Sequence, residues 1–124
     1  MAFNTRSIGS KYEDMAVDYL IKKGHRILDR NYNCRYGEID IISKHQDSLV
    51  FIEVKYRKKA DCGYAEEAVD IRKQKQISRA SLFYLNYHGY GTDIPIRYDV
   101  ISISDDNINH IENAFYYTGN NTVF

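Results

Sequence analysis

Residues 37–55 read GEIDIISKHQDSLVFIEVK, two apolar runs separated by the polar run 43–48. Both apolar runs are predicted to form strands. Because strand side chains alternate between faces, Glu53 and Lys55 are expected on the same face as Phe51. The opposite face is expected to carry Val50, Ile52 and Val54. The second strand thus presents a carboxylate beside an ammonium group on an otherwise apolar ribbon.

The polar run is short enough for a hairpin loop, which would bring Asp40 of the first strand close to Glu53. Charged groups at core positions are costly to desolvate unless they are paired or bound to an ion. Two interpretations stay open from these residues alone. In one, Asp40 and Glu53 hold Mg²⁺ and Lys55 assists the attacking water. In the other, Lys55 forms an ordinary ion pair with either carboxylate at the edge of the sheet.

Length and composition set limits on the kind of protein. The 124 residues fit a single domain over 1–124, long enough to bury a core without disulfides and too short for a large multidomain enzyme. Hydrophobic residues make up 44% and charged residues 27%, which indicates neither disorder nor a membrane span. The N-terminus lacks the apolar segment of a signal peptide, so a cytoplasmic protein is expected. Cys34 and Cys62 lie far apart and are expected to be reduced thiols.

The charges are unevenly distributed, although the net charge is zero. Residues 1–79 hold 16 Lys and Arg against 12 Asp and Glu, and residues 80–124 hold 1 against 5, so the two parts carry +4 and −4. A zero net charge argues against a nucleic-acid partner, whereas a basic N-terminal part favours one. The alternative is solvated surface charge with an acidic tail.

A first helix is predicted over 10–23. Glu13 lies on its apolar stripe, which continues at Ala16, so its side chain is expected at the core or its rim. The alternative is an edge glutamate paired with a neighbour such as Lys11 or Arg26, and the spacing alone favours this alternative.

The remaining elements follow from periodicity and from glycine and proline signals. We predict a strand in 25–32, a second helix over 66–88 and a strand over 96–103. The segment 107–124 fits either a short helix or an edge strand. The resulting order, α-β-β-β-α-β, indicates a sheet flanked by helices in a single compact unit.

Several common kinds of site are absent from the sequence. There is no Gly-rich phosphate loop, dinucleotide fingerprint or G-x-S-x-G turn, so no nucleotide cofactor is expected. The histidines show no zinc-ligand spacing and are expected to be structural or exposed. The 12 tyrosines could stack on bases, but most are expected to pack in the core.

With these residues identified, the chain resembles the YraN-like family of predicted endonucleases, relatives of the archaeal Holliday junction resolvases in the PD-(D/E)xK superfamily. The resemblance covers nearly the whole chain. It rests on Gly9-x-x-x-Glu13 in the first helix, on NYNCRYGEIDII at 31–42 and on LVFIEVKYR at 49–57. Weaker matches are Lys73-Gln74, 80–85, Arg97-Tyr98-Asp99-Val100 and Asn113-Ala114-Phe115.

The resemblance implies a restriction-endonuclease-like α/β fold, an αβββαβ core with a mixed central sheet flanked by helices. It also implies that Asp40 and Glu53 hold Mg²⁺ or Mn²⁺, that Lys55 assists the attacking water and that Glu13 completes the metal site. This reverses the preference for a simple ion pair at Glu13. The superfamily motif has proline before the aspartate, where this chain has Ile39, and the carboxylate is retained. Gln74 is expected either to line the site or to be a structural amide.

The expected function is therefore a metal-dependent endonuclease acting on DNA, with branched DNA as the plausible form and a homodimer as the plausible assembly. Basic side chains would position the DNA backbone without reading its sequence. These are Arg35, Arg57, Lys58, Lys59, Arg72, Lys73 and Lys75. The alternative is a non-catalytic nucleic-acid or protein interaction module that retains the fold, which the neutral net charge keeps open. RNA is a third, weaker option as substrate.

Overall fold

The computed structural model describes residues 5–57, 69–91, 93–105 and 107–118. Within these ranges the chain forms two helices and five strands. In chain order they are α1 Thr5–Lys22, β1 Arg26–Cys34, β2 Gly37–His45, β3 Ser48–Tyr56, α2 Ile71–Tyr87, β4 Ile96–Ser104 and β5 Asn107–Phe115. Neither of these helices is long and apolar enough to cross a membrane.

The five strands form one sheet in the order β1-β2-β3-β4-β5. Strands β1, β2 and β3 are joined by antiparallel pairing, and β5 pairs antiparallel with β4. The central pair, β3 and β4, is parallel, and α2 lies in the connection between them. A parallel pair needs such a crossover, whereas antiparallel neighbours need only a short turn. The mixed sheet flanked by helices is confirmed, and it is compatible with a restriction-endonuclease-like core.

The two faces of β3 pack against different helices, as the alternation predicted. Phe51 packs on the α2 side with Ile77 and Tyr84. Val50 and Ile52 pack on the other side of the sheet in a cluster with residues of α1. Since Glu53 follows the parity of Phe51, it lies on the α2 side, at the end of an apolar row.

Both predicted helix starts were wrong. The second helix begins at Ile71, not at 66, because Asp70 is its N-cap and accepts a hydrogen bond from the Lys73 backbone N–H at 2.9 Å. Residues 66–68 lie outside the described ranges. The first helix begins at Thr5, five residues before its predicted start.

The strands extend further than the sequence indicated. The predicted loop 43–48 is mostly strand: β2 continues to His45, β3 starts at Ser48, and the two-residue turn between them includes Gln46 with a left-handed φ of 56°. The C-terminal segment, which the sequence left open between helix and strand, forms the edge strand β5.

Candidate functional site

Asp40 lies where β2 separates from β3. The pairing of these strands extends from the hairpin turn to Ile41 opposite Ile52, the last pair along β2 towards its start. Just beyond that pair, Oδ2 of Asp40 accepts a hydrogen bond from the backbone N–H of Val54 at 2.8 Å. The carboxylate thus takes the place of a backbone carbonyl, so β2 can diverge while the Val54 N–H keeps a partner.

The alternation of β2 is interrupted at the same point. Ile39 packs in the α2-side cluster and Ile41 in the α1-side cluster, although residues two apart normally share a face. Across from this irregularity, Asn31 of β1 has a left-handed φ of 52°. Asp40 lies at this irregularity, within electrostatic range of Glu13 on α1 and of Glu53 on the α2 side of the sheet.

Glu53 is the most deeply buried carboxylate of the site, with a relative exposure of 5%. Its Oε2 lies 3.5 Å from the Lys55 Nζ and 3.9 Å from the Lys73 Nζ, while its buried Oε1 has no hydrogen-bond partner. Burial, followed by the negative charge of Asp40, raises the pKa of Glu53 to about 7, against the opposing effect of the two lysines. Two adjacent carboxylates with an unsatisfied oxygen are a set of donors that a hard cation would stabilise.

Glu13 lies on α1, on the other side of Asp40. Its side chain is 13% exposed, its Oε1 has no hydrogen-bond partner, and the nearest cationic atom is the Arg30 Nη2 at 3.6 Å. The ion pair that the sequence left open for Glu13 is thus made with Arg30 and not with the suggested Lys11 or Arg26, and Arg30 binds Asp14 more closely, at 2.6 Å. Burial, and then the charge of Asp40, raises the pKa of Glu13. Glu13 is thus held near Asp40 with an incompletely neutralised carboxylate.

The carboxylates form a pair with a third near them rather than a complete cage. Among the described residues, no group of three or more His, Cys, Asp or Glu side chains is placed to hold a metal ion. Mg²⁺ usually takes one or two carboxylates from a protein and completes its coordination with water and substrate phosphates. Asp40 and Glu53 fit that requirement, and Glu13 as a third ligand stays a prediction.

Residues of α2 line the approach to the carboxylates. Lys73, predicted as a DNA-backbone contact, lies beside Glu53. The side chain of Gln74 donates to the Val69 carbonyl at 3.0 Å, as expected of a structural amide. Sequence reasoning missed Gln76, which lines both cavities beside the site. Its spacing of three from Lys73 on the same helix was the signal that could have found it.

The two cavities are strongly basic and share part of their walls. One, of about 210 Å³, is lined by Lys55, Asp70, Arg72, Lys73 and Gln76. The other, of about 570 Å³, is lined by Arg35, Tyr36, Ile71, Arg72, Lys75, Gln76 and Arg79. Because Arg72 and Gln76 line both, the two cavities are adjacent, one beside the lysine next to Glu53 and the other beside the turn between β1 and β2.

The fold brings together most, but not all, of the predicted basic contacts. Arg35, Arg72, Lys73 and Lys75 line the cavities. Arg57 lies just after β3 and is not among the lining residues, and its backbone N–H donates to the Ile103 carbonyl at 2.8 Å. Lys58 and Lys59 lie outside the described residues, as does Cys62.

A second polar cluster lies near the hairpin between β2 and β3. Asp99 is fully buried, bonded to Arg97 at 2.9 and 3.0 Å and to His110 at 2.7 Å. His25 stacks on His45 with ring centroids 4.2 Å apart and binds the buried Ser43 hydroxyl at 2.8 Å. These histidines are structural, as the sequence predicted, but they are clustered rather than isolated.

Comparison with known proteins identifies relatives over most of the chain. The family model described as "Uncharacterised protein family UPF0102" matches residues 12–103. A UPF0102 protein of Fusobacterium nucleatum is 44% identical over 113 residues, 91% of this chain and 94% of the relative. A UPF0102 protein of Clostridioides difficile is 41% identical over 114 residues, 90% of this chain and 99% of the relative. The matched region contains Glu13, Asp40, Glu53, Lys55 and α2.

Proposed function

The chain belongs to the UPF0102 family, which is the YraN family its sequence resembles, and we propose that it is a divalent-metal-dependent endonuclease that hydrolyses phosphodiester bonds of DNA. One observation carries the proposal: the carboxylates of Asp40 and Glu53 are neighbours at a strand divergence, with a buried Glu53 oxygen left without a partner. Such an arrangement is costly in a purely structural role and is typical of a cation site.

Asp40 and Glu53 would hold Mg²⁺ or Mn²⁺, with Glu13 near enough to assist through its charge. A bound cation of this kind polarises a phosphoryl oxygen and lowers the pKa of a coordinated water. The hydrogen bond from Val54 fixes one oxygen of Asp40, so the orientation of this ligand is set before any cation binds.

Lys55 would orient the attacking water and stabilise the negative charge that develops on the phosphate. Its Nζ lies 3.5 Å from Glu53, and its side chain is 37% exposed, so the ammonium group is held at the site yet accessible to solvent. A fixed positive charge there stabilises a transition state more than the ground state, because the phosphate gains charge as the water attacks. Lys73 supplies a second positive charge next to the same carboxylate.

Although the net charge is zero, the basic cavities concentrate positive charge on one surface, where phosphates could bind. Their cationic side chains lie in two adjacent cavities beside the site, and phosphate contacts of this kind position a nucleic acid without reading its sequence. A second candidate is an interaction module that binds DNA through these cavities without cutting it, which is favoured by the lack of a group of three or more possible metal ligands among the described residues.

A cleavage panel tests the proposal. Purified protein is incubated with linear, flapped and four-way DNA and with single-stranded RNA, in Mg²⁺, Mn²⁺ or EDTA. We expect metal-dependent cleavage of DNA that is lost in Asp40→Ala, Glu53→Gln and Lys55→Ala and retained in Lys44→Ala, a matched lysine on β2. Cleavage that survives the first three substitutions would come from a contaminant and would defeat the proposal. Binding of DNA without cleavage would favour the interaction module. Preferential cleavage of RNA would show that the substrate is RNA and not DNA.

A further inference from the structure

Three aromatic rings lie exposed beside the larger basic cavity. Tyr36, Phe83 and Tyr87 are 41%, 36% and 76% exposed. The rings of Tyr36 and Phe83 meet edge to face with centroids 6.0 Å apart, and Phe83 and Tyr87 lie nearly parallel at 6.4 Å. We call these three residues the aromatic ridge. Singly exposed aromatics need no explanation, but a continuous row of three is a surface suited to a ligand.

The charges around the ridge select the kind of ligand. Tyr36 belongs to the wall of the 570 Å³ cavity, whose lining includes Arg35, Arg72, Lys75 and Arg79 and, within the described part of the chain, no acidic residue. The Arg35 guanidinium lies 5.5 Å from the centre of the Tyr36 ring. Flat rings beside a row of cations match a molecule that alternates aromatic faces with phosphates.

Duplex DNA does not fit this surface as well as an unpaired strand does. Bases in a duplex stack on each other and hide their faces, so exposed rings gain little from them. Bases of a single strand can stack on tyrosine and phenylalanine rings while their phosphates contact neighbouring cations. We propose that the aromatic ridge and the adjoining cavity bind an unpaired DNA strand and lead it towards Asp40 and Glu53. This inference rests on the proposed function for its choice of DNA.

Two adjacent cavities lie between the ridge and the lysines beside Glu53. Arg72 and Gln76 form part of both cavities, and the smaller cavity ends at Lys55 and Lys73. Gly37, just after Tyr36, leaves room for this wall, since a Cβ there would fall 2.0 Å from the Gln76 Nε2. The substrate class that follows is DNA with a single-stranded segment next to the scissile bond.

Binding without catalysis tests the inference directly. Fluorescence anisotropy in EDTA compares a labelled 12-nucleotide oligothymidine with a blunt duplex of 12 base pairs, for wild type, Phe83→Leu and Tyr87→Ala. We expect the single strand to bind more tightly than the duplex, and each ridge substitution to weaken single-strand binding by roughly tenfold, the usual effect of one lost base stack. Phe83→Leu keeps an apolar side chain and removes only the ring. Tyr116→Ala is the control, because Tyr116 is 82% exposed and follows the strand at the opposite edge of the sheet.

The outcomes separate this inference from the proposed function. Equal affinity for single strand and duplex, or single-strand affinity unchanged in both ridge variants, overturns the role of the ridge even if the protein cleaves DNA. A wild-type dimer that Tyr87→Ala converts into a monomer would assign the ridge to a second copy of the chain and overturn it too. Ridge-dependent single-strand binding by a protein that cleaves nothing would support the inference while the nuclease proposal fails. Thermal melting of each variant identifies any loss of folding. Tyr87→Ala is the substitution least expected to affect folding, because Tyr87 is 76% exposed.

Discussion

Glu53 shows at the scale of one residue how a functional group can oppose stability. Its charged form is desolvated beside Asp40, and an oxygen is left without a partner. The pKa in the folded protein, about 7, exceeds the ordinary value of 4.5. Between these pH values the folded state holds a proton that the unfolded state has lost, so this residue's contribution to stability is lost as pH rises from about 4.5 to about 7.

Glu53→Gln should therefore stabilise the metal-free protein at pH 8 while abolishing metal-dependent cleavage. Glutamine resembles the protonated carboxyl group and carries no charge to desolvate, and we expect a gain of about 1–3 kcal/mol. Thermal melts in EDTA at pH 8 measure the gain, and melts at pH 5 should show much less difference. Glu112→Gln, at a side chain 57% exposed, is the control. A variant that melts below wild type at pH 8 would show that the carboxylate stabilises the fold instead.

Gly37 is the second residue whose identity the geometry requires. Its φ of +138° is strained for any other residue, and an added Cβ would meet the side chain of Gln76. We expect Gly37→Ala to cost about 1–3 kcal/mol and to displace Gln76 from the cavity wall. Urea denaturation measures the first effect. Gly91→Ala is the matched control, because an added Cβ there would lie 3.9 Å from the Asp93 backbone N, and equal stability of the two variants would refute the prediction.

At the scale of elements, the periodicity of the sequence could predict which face of a strand a side chain occupies, but not which residues of other elements it contacts. The side chains of β3 alternate between its two faces, so the sequence could predict that Glu53 and Lys55 lie on the same face. The partner of Glu13 could not, because Arg30 lies on β1, a separate element, and contacts Glu13 of α1 only through tertiary packing. Ser43 was predicted to be a loop residue because it begins a polar run. Its buried position could not be predicted, because the histidine that binds its hydroxyl, His25, lies 18 positions earlier in the chain.

The cluster near the hairpin makes the β2 region sensitive to acid. Burial, followed by the charges of His45, Arg97 and His110, lowers the pKa of His25 to about 4, against the attraction of Asp99. An unfolded histidine titrates near 6.5, so between about 6.5 and 4 the unfolded state holds a proton that the folded state lacks. Stability from this residue is complete above that window and is lost as pH falls through it.

His25→Gln should remove this part of the acid sensitivity. Glutamine can still bind the Ser43 hydroxyl but does not titrate, so the difference between wild type and variant isolates one proton. We expect wild-type stability to fall faster with acidification by about 1.4 kcal/mol per pH unit within the window. Urea denaturation at pH 7, 6 and 5 measures both slopes. His88→Gln, at an exposed histidine after α2, should keep the wild-type slope. Parallel curves for wild type and His25→Gln would contradict the prediction.

At the scale of the whole molecule, a neutral chain must concentrate its positive charge to hold DNA. The sequence could indicate an excess of basic residues before position 80, but it could not show which of them share a wall. That depends on how α2 lies against the turn between β1 and β2, through contacts such as Tyr36 with Phe83. Helix packing brings Arg72 into the lining of both cavities, the one with Lys55 and Lys73 and the one with Tyr36 of the ridge.

Arg72→Ala should accordingly weaken DNA binding in a way that differs from a ridge substitution. A lost phosphate contact lowers affinity for single strand and duplex alike and reduces the slope of log affinity against log salt by about 1, whereas a lost base stack lowers single-strand affinity and leaves the slope unchanged. Anisotropy titrations in EDTA at salt concentrations from about 50 to about 200 mM measure the affinity and its dependence on salt. Lys44→Ala, on β2 and absent from both cavity walls, should match wild type. An Arg72→Ala slope equal to that of wild type would mean that phosphates are bound elsewhere, and the basic cavities would then lose their part in positioning DNA at Asp40 and Glu53.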